Sequence, residues 1–210
     1  PLNSIQTYIS NLDFEYPVVF ADSVLFVSSD FFLGGNHPAY QLLPDYLRFQ
    51  RQSRFLQSVL SESVMAPLVD KDLRDQSLVN EMIYWGRVYY AIKALNPHLT
   101  DDRIMRFSKD ELAFCLESEE SMWRYFVKQE YLFSPDQDLK RRFIEVAPFS
   151  KFGVTTDLQT PGSVGKWVGL RIIESFMKNN PETSLQQLLS MSDAQEIFKK
   201  SKYKLERKGL

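Results

Sequence analysis

A segment near the C-terminus, SVGKWVGLRIIESFMKN, constrains the fold more than any other stretch of this chain. Its apolar residues recur at turn spacing and form one helical stripe: Val164, Val168, Ile172 and Phe176. The same helix contains Gly165 and Gly169, and each glycine costs about 1 kcal/mol of helix propensity relative to alanine. We prefer packing as the explanation for both, because positions without side chains let another backbone approach closely. The segment therefore predicts a helix in close contact with a neighbouring element.

Start and stop signals predict further helices along most of the chain. Pro44 suits the first turn of a long helix, and Pro67 closes that helix by removing a backbone donor. Ser108 and Glu111 form a capping box at the start of another long helix. The predicted helices cover about 45–65, 77–95, 108–130, 135–146, 162–178, 184–189 and 193–201, with a short helical turn after Thr100.

The stretch SVLFVSSDFFLGG, residues 23–35, predicts a strand that ends in a turn. The expected fold class is therefore α+β and predominantly α-helical, with a small N-terminal sheet and a helical C-terminal part. No shift in composition forces two domains. We expect a single domain over 1–210, with an α/β part over about 1–95 and a helical part over about 96–210.

Composition excludes several classes of function. A net charge of −2 gives no field for gathering phosphates, so nucleic acid is not an expected partner. Cys115 is the single cysteine, which makes an intrachain disulfide impossible and favours a buried, inert thiol. No apolar run approaches the roughly 20 residues that a membrane span needs. Because the chain opens on Pro1-Leu2-Asn3, we expect a mature or trimmed start whose targeting information has been removed.

Histidine is scarce, and its positions bear on catalysis. His37 and His98 each lie beside a proline in a loop, whereas catalytic zinc commonly takes two histidines one helical turn apart. No nucleophile elbow, Walker motif or dinucleotide fingerprint is present. The carboxylates of the chain are explained best as solvated faces and loop residues.

The stretch LSESVM, residues 60–65, has the spacing of a degenerate zinc-peptidase motif. Ser61-Glu62-Ser63-Val64-Met65 matches His-Glu-x-x-His with both histidines replaced. A serine hydroxyl and a thioether are poor zinc ligands. By spacing alone the match carries no weight, because a single glutamate on a helix is common.

Several longer segments give the chain a specific resemblance. They are NEMIYWGRVYYAIKAL (80–95), RRFIEVAPFSKFG (141–153), PGSVGKWVGLRIIESFMKNNPETSLQQLL (161–189) and KSKYK (200–204). In these segments and in their order, the chain resembles the gliding motility-associated lipoprotein B family of Bacteroidetes. The resemblance covers most of the chain and is sharpest over residues 161–178.

That family is in turn distantly similar to a group of predicted zinc peptidases with a His-Glu-x-x-His helix. The similarity implies that the two histidine positions are Ser61 and Met65, and that the catalytic glutamate is Glu62. The glutamate that supplies the third ligand falls on Trp85, which nineteen intervening residues separate from Met65. Glu81 is the only nearby carboxylate that could restore a metal site.

The resemblance implies a non-catalytic, peptidase-like lipoprotein domain of the cell envelope, with no catalytic residues, no metal and no cofactor. It further implies a removed signal peptide and a lipidated cysteine upstream, in the periplasm or at a membrane surface, and a role in gliding motility or a related envelope process. We expect a protein or peptide partner to bind a former substrate groove. The residues expected to line that groove are Arg54, Ser61, Glu62, Met65 and Trp85.

Two alternatives stay open at this point. One is a working hydrolase with an unconventional site, in which Glu62 acts with Glu81 or with a histidine from a loop. The other is a helical scaffold that contacts envelope proteins through its surface, which a large exposed apolar patch away from the groove would favour.

Overall fold

The computed structural model describes residues 3–12 and 17–203. The chain divides into two compact units, Pro1–Pro67 and Leu68–Leu210. Its architecture is α+β and predominantly helical, with a three-stranded sheet near the N-terminus, which confirms the predicted fold class. That the chain is a single domain whose two parts meet near residue 95 stays a prediction.

The sheet lies in the first unit. Its strands are β1 (Ser4–Tyr8), β2 (Val18–Ala21) and β3 (Val24–Ser28). β3 is central, parallel to β1 and antiparallel to β2. The core of this unit contains Val18, Leu25 and Val27, with Leu56, Val59, Leu60 and Val64 packed against them. Strand β3 confirms the first half of the strand predicted within 23–35. Strand β1 was not predicted, because its residues are mostly polar and exposed.

The helix predicted over about 45–65 is wrong as one continuous element. It consists of α1 (Asp45–Gln50), a 3₁₀ turn (Ser53–Phe55) and α2 (Leu56–Met65). The break occurs because Arg51 is buried, with its guanidinium 4.3 Å from the ring centroid of Phe31. The carbonyl of Arg51 accepts a hydrogen bond from the amide of Gly34, and Gln52 then adopts an extended conformation. The tertiary contacts of one arginine therefore override the local helix propensity.

The second unit is helical in its described residues. Its helices are α3 (Leu78–Leu95), α4 (Asp101–Met105), α5 (Lys109–Lys128), α6 (Gln137–Phe143), α7 (Val164–Asn179), α8 (Leu185–Ser190) and α9 (Ala194–Ser201), with a 3₁₀ turn over Asp157–Gln159. The predicted capping box of Ser108 and Glu111 is confirmed at the start of α5. Thr100 occupies the N-cap position of α4, but its side chain makes no capping hydrogen bond. Among the described helices, none combines the length and the apolar composition of a membrane span.

Helices α3 and α7 cross at the centre of the second unit, and α9 packs against both. A Cβ atom on Gly86 would be 2.3 Å from the carbonyl oxygen of Gly169, which is too close for any real contact. The stripe of α7 predicted from its sequence is buried, and packing is confirmed as the reason for its glycines. On α5, Cys115 is buried as predicted, and burial raises the pKa of its thiol.

The segment after α9 is anchored to the helices. The Tyr203 hydroxyl donates to Glu119 Oε1 at 2.7 Å, and its ring meets the Trp123 ring edge-on at 4.9 Å between centroids. The carbonyl of Ser201 accepts from Ser175 Oγ at 2.8 Å and from Asn179 Nδ2 at 2.8 Å. Ser201 and Tyr203 of the Ser-Lys-Tyr part of the terminal motif are therefore held against α7 and α5.

Candidate functional site

The degenerate motif lies on α2, in the first unit. Because the helix is regular there, Ser61 and Met65 are one turn apart, as the paired ligands of a peptidase would be. Met65 is buried, while Ser61 and Glu62 are half-buried. Apolar residues of the same helix pack against the sheet, so α2 also has a structural role.

Arg54 lies in the 3₁₀ turn just before α2. Its side chain is exposed, and the guanidinium is 4.6 Å from the ring centroid of Phe55 and 5.2 Å from that of Phe49. Cation–π attraction of this kind is worth about 0.5–1 kcal/mol at an exposed site. Arg54 lies in the same unit as Ser61, Glu62 and Met65.

Trp85 lies on α3 in the second unit, within a cluster of aromatic rings and lysines. The ammonium of Lys166 is 3.9 Å from the Trp85 ring centroid, although only 7% of Lys166 is exposed. The rings of Tyr84 and Tyr89 lie 5.2 and 6.1 Å from that of Trp85. Among aromatic side chains, the face of tryptophan attracts a cation most strongly. The Trp85 ring therefore stabilises the ammonium of Lys166 at this buried position.

Glu81, one turn before Trp85, is paired with two lysines. Its Oε2 is 2.8 Å from Lys71 Nζ, and its Oε1 is 2.9 Å from Lys140 Nζ. Burial alone would raise the pKa of Glu81, but the hydrogen bonds from Lys71 and Lys140 outweigh it, so the pKa lies below its usual value. Each carboxylate oxygen of Glu81 is therefore paired with a lysine ammonium, and a metal ion would have to compete with both lysines for this residue.

The residues of the predicted groove fall in two units. Arg54, Ser61, Glu62 and Met65 belong to the first unit, and Trp85 belongs to the second. A groove lined by all five stays a prediction. Within residues 3–12 and 17–203, no three histidine, cysteine, aspartate or glutamate side chains form a group that could hold a metal ion.

A pocket that the sequence analysis did not identify lies in the second unit, between α5 and residues 152–160. We call it the aromatic pocket. Its volume is about 240 Å³. Its lining residues are Phe114, Ser118, Ser121, Met122, Tyr125, Phe152, Val154, Thr156 and Thr160. The only signal in the sequence was APFSKFGVTTDLQTPG (147–162), the longest irregular stretch of the chain, and long loops of this kind are frequently functional.

An adjoining pocket, which we call the acidic pocket, shares Phe114 with the aromatic pocket and has a volume of about 410 Å³. Its lining residues are Asp110, Glu111, Ala113, Phe114, Glu117, Leu158 and Gln159. We call the two pockets together the α5 groove, because they share Phe114 and both are lined by residues of α5. The groove is lined by residues of the second unit alone.

The loop beside this groove is held by its own hydrogen bonds. The Asp157 carboxylate accepts from the backbone amides of Phe152, Gly153 and Val154 at 2.9–3.3 Å. Thr160 Oγ1 donates to the buried carbonyl of Ser150 at 2.8 Å. The ring of Phe152 packs against those of its aromatic neighbours Tyr125, Phe126 and Phe143 at 5.0–5.6 Å between centroids. The pocket is thus preformed by the loop's own bonding.

Comparison with known proteins identifies the family. Neither the curated proteins nor the solved structures provide a match. The family model described as gliding motility protein GldB matches residues 1–205 of the 210 residues. The protein therefore belongs to the family of the gliding motility protein GldB, a family of lipoproteins associated with gliding motility.

Proposed function

We propose that this chain is a non-catalytic, peptidase-like domain of the cell envelope that binds a protein or peptide partner in gliding motility or a related envelope process. The observation that carries the proposal is the Lys166 ammonium 3.9 Å from the Trp85 ring. The resemblance puts the third metal ligand at Trp85, where a divalent cation would meet a fixed positive charge instead of a carboxylate.

The surroundings of Glu81 support the same conclusion. This carboxylate is the one that could replace the missing ligand, and Lys71 and Lys140 hold both of its oxygens. A metal would have to displace two ammonium groups from a half-buried ion-pair cluster, and removing one partner of such a cluster leaves uncompensated charge. The alternative of a hydrolase that uses Glu62 with Glu81 is therefore the weaker proposal.

A partner-binding role is supported by surfaces that suit recognition better than chemistry. The half-buried Tyr84 and Trp85 and the aromatic pocket both offer aromatic side chains, which are enriched at protein interfaces. Loss of a metal does not remove such surfaces, because peptide affinity comes from pockets and backbone hydrogen bonds.

Gliding of a strain that lacks the endogenous protein provides the test. The strain would be complemented with the wild type, with Glu62→Gln and with Glu182→Gln, an exposed control. We expect all three to restore gliding, because Glu62 has no catalytic role in this proposal and glutamine keeps the size of the side chain and an acceptor oxygen in the predicted groove. Glutamine at a general base costs peptidases about 10²-fold or more in rate. Loss of gliding with Glu62→Gln alone, at normal protein levels and together with loss of a peptidase activity that the wild type shows, would overturn the proposal.

A further inference from the structure

We propose that the α5 groove binds an extended, basic peptide segment of a protein partner, with one apolar side chain in the aromatic pocket and lysine or arginine residues along the acidic pocket. This inference rests on the proposed function, that the domain binds a partner. It adds a site and the chemistry of the segment that the site takes.

The dimensions of the groove suit an extended peptide. Its lining on α5 runs from Asp110 to Tyr125, and fifteen residues of helix rise about 22 Å. An extended chain spans about 3.3 Å per residue, so a segment of about six or seven residues would fill the groove.

The aromatic pocket is sized for an anchor side chain. At about 240 Å³ it is smaller than the roughly 300–1,000 Å³ of small-molecule sites. Its apolar residues would surround one leucine- or phenylalanine-sized group, while the hydroxyls of Ser118, Ser121 and Thr156 are available for peptide backbone groups. At the rim, Val154 and Leu158 are 51% and 79% exposed. A bound peptide would cover this apolar surface.

The charge of the acidic pocket selects the occupant. Its lining contributes the carboxylates of Asp110, Glu111 and Glu117, and none of the described residues that line either pocket is a lysine, arginine or histidine. Glu111 caps α5, and its Oε2 accepts a hydrogen bond from the Ser108 amide at 2.7 Å. Asp110 and Glu117 are exposed. Charge complementarity therefore favours a basic segment and rejects an acidic or phosphorylated one.

Binding of defined hexapeptides to the full chain tests this proposal. The first peptide contains a leucine and, after it, two lysines separated by one residue. A second peptide has the two lysines before the leucine, so that both chain directions in the groove are tested. Companion peptides replace both lysines by glutamate or the leucine by alanine. Methyl NMR signals of Met122 and Thr156 would report binding in the groove, and fluorescence anisotropy would give the affinity. We expect one lysine peptide to shift those signals and its glutamate companion to bind about tenfold more weakly.

Three variants localise the binding. Ser121→Trp places a large ring in the aromatic pocket, and we expect it to abolish the preference for leucine over alanine. Glu117→Lys reverses a charge of the acidic pocket, and we expect it to abolish the preference for lysine over glutamate. Glu182→Lys makes the same change of net charge at an exposed position outside the groove and should leave binding unchanged.

Two results would overturn the groove proposal. One is the absence of shifts at Met122 and Thr156 with every peptide. The other is equal affinity for the lysine and glutamate peptides. The gliding assay separates this failure from failure of the proposed function. If Ser121→Trp and Glu117→Lys proteins restore gliding as well as the wild type does, the α5 groove is not the partner site and the non-catalytic role stands.

Discussion

Gly169 of α7 lies so close to Met82 of α3 that a Cβ atom on Gly169 would be 1.8 Å from the Met82 carbonyl oxygen. The crossing is reciprocal, because a Cβ atom on Gly86 of α3 would be 2.3 Å from the Gly169 carbonyl oxygen. No real contact is that short, and both neighbours are backbone atoms that cannot rotate away. The glycines therefore set the distance between the two central helices of the second unit.

Gly169→Ala should destabilise the second unit by about 3 kcal/mol or more, because one methyl group must push the helices apart. In an uncrowded helix the same substitution would stabilise by about 1 kcal/mol. Urea unfolding followed by tryptophan fluorescence measures the effect, since all three tryptophans lie in this unit. Lys178→Ala, at an exposed position of α7, is the control and should stay within about 0.5 kcal/mol of the wild type. A stabilised Gly169→Ala protein would contradict the packing described here.

Arg87 of α3 is completely buried, and its guanidinium binds backbone carbonyls. Nη2 donates to the carbonyl of Asp70 at 2.6 Å, and Nη1 donates to those of Leu189, at 3.3 Å, and Met191. Burial lowers the pKa of Arg87 to about 10, which still leaves it charged at neutral pH. Arg87 thus ties the end of α8 and the segment before α3 to the central helix.

Arg87→Met should lower the free energy of unfolding by about 3 kcal/mol, because the freed carbonyls lose charge-assisted hydrogen bonds inside the protein. The free energy of unfolding of Arg87→Lys should lie between those of the wild type and Arg87→Met, since one ammonium cannot make all the hydrogen bonds of a planar guanidinium. Arg103→Met, at an exposed position of α4, is the matched control. The role assigned to Arg87 would be wrong if both methionine variants unfolded at the same urea concentration as the wild type.

Local elements of this fold followed from the sequence wherever local signals decide them. The Ser108–Glu111 box and the stripe of α7 depend on residues that each lie about one turn from the next, and both were predicted. The break at Arg51 was not, because it depends on burial of that side chain against Phe31, twenty positions away in the chain. The spacing of apolar residues along one helix carries no information about such a distant contact.

Asp30 organises the end of the sheet in the first unit. Its Oδ1 accepts from the Ser10 amide at 2.9 Å and from Ser28 Oγ at 2.6 Å, and its Oδ2 accepts from the Leu12 amide at 2.8 Å. Burial opposes ionisation, but these hydrogen bonds prevail and hold the pKa of Asp30 well below its ordinary value.

Asp30→Asn should destabilise the first unit by about 2 kcal/mol at neutral pH, because an amide group cannot accept all of these bonds. The folded pKa lies below the unfolded value of about 3.9, so this stabilisation is present above about pH 4 and is lost as the pH falls further. The difference between wild type and variant should therefore shrink below about pH 4. Hydrogen exchange of the Ser10 and Leu12 amides, followed as a function of pH in both proteins, measures this difference in stability. Asp22→Asn, at an exposed turn position, is the control, and a pH-independent difference would count against this account.

Tyr203→Phe tests the anchoring of the C-terminal segment. It removes the hydrogen bond to Glu119 but keeps the ring against Trp123, so we expect a loss of about 1 kcal/mol in the free energy of unfolding. Glu119 also accepts from Arg171 Nε at 3.0 Å and remains paired in the variant. Tyr90→Phe, at a half-buried position of α3, is the control. Equal stability of Tyr203→Phe and the wild type would show that the hydroxyl has no anchoring role.

The candidate sites were harder to predict than the fold, for a physical reason. Trp85 was singled out by its place in a motif, but the lysine on its ring comes from α7, 81 positions later, and no local pattern connects Trp85 with Lys166. The aromatic pocket likewise joins α5 to residues 152–160. Sites assembled from distant segments become visible only when the helices are packed.

The metal content of the purified protein is the sharpest test of whether the domain is non-catalytic. Elemental mass spectrometry would be applied before and after incubation with zinc and dialysis. With Lys166 against Trp85 and two lysines on Glu81, we predict far less than one zinc per chain in both samples. One tightly held zinc per chain would contradict the account and return the peptidase hypothesis to first place.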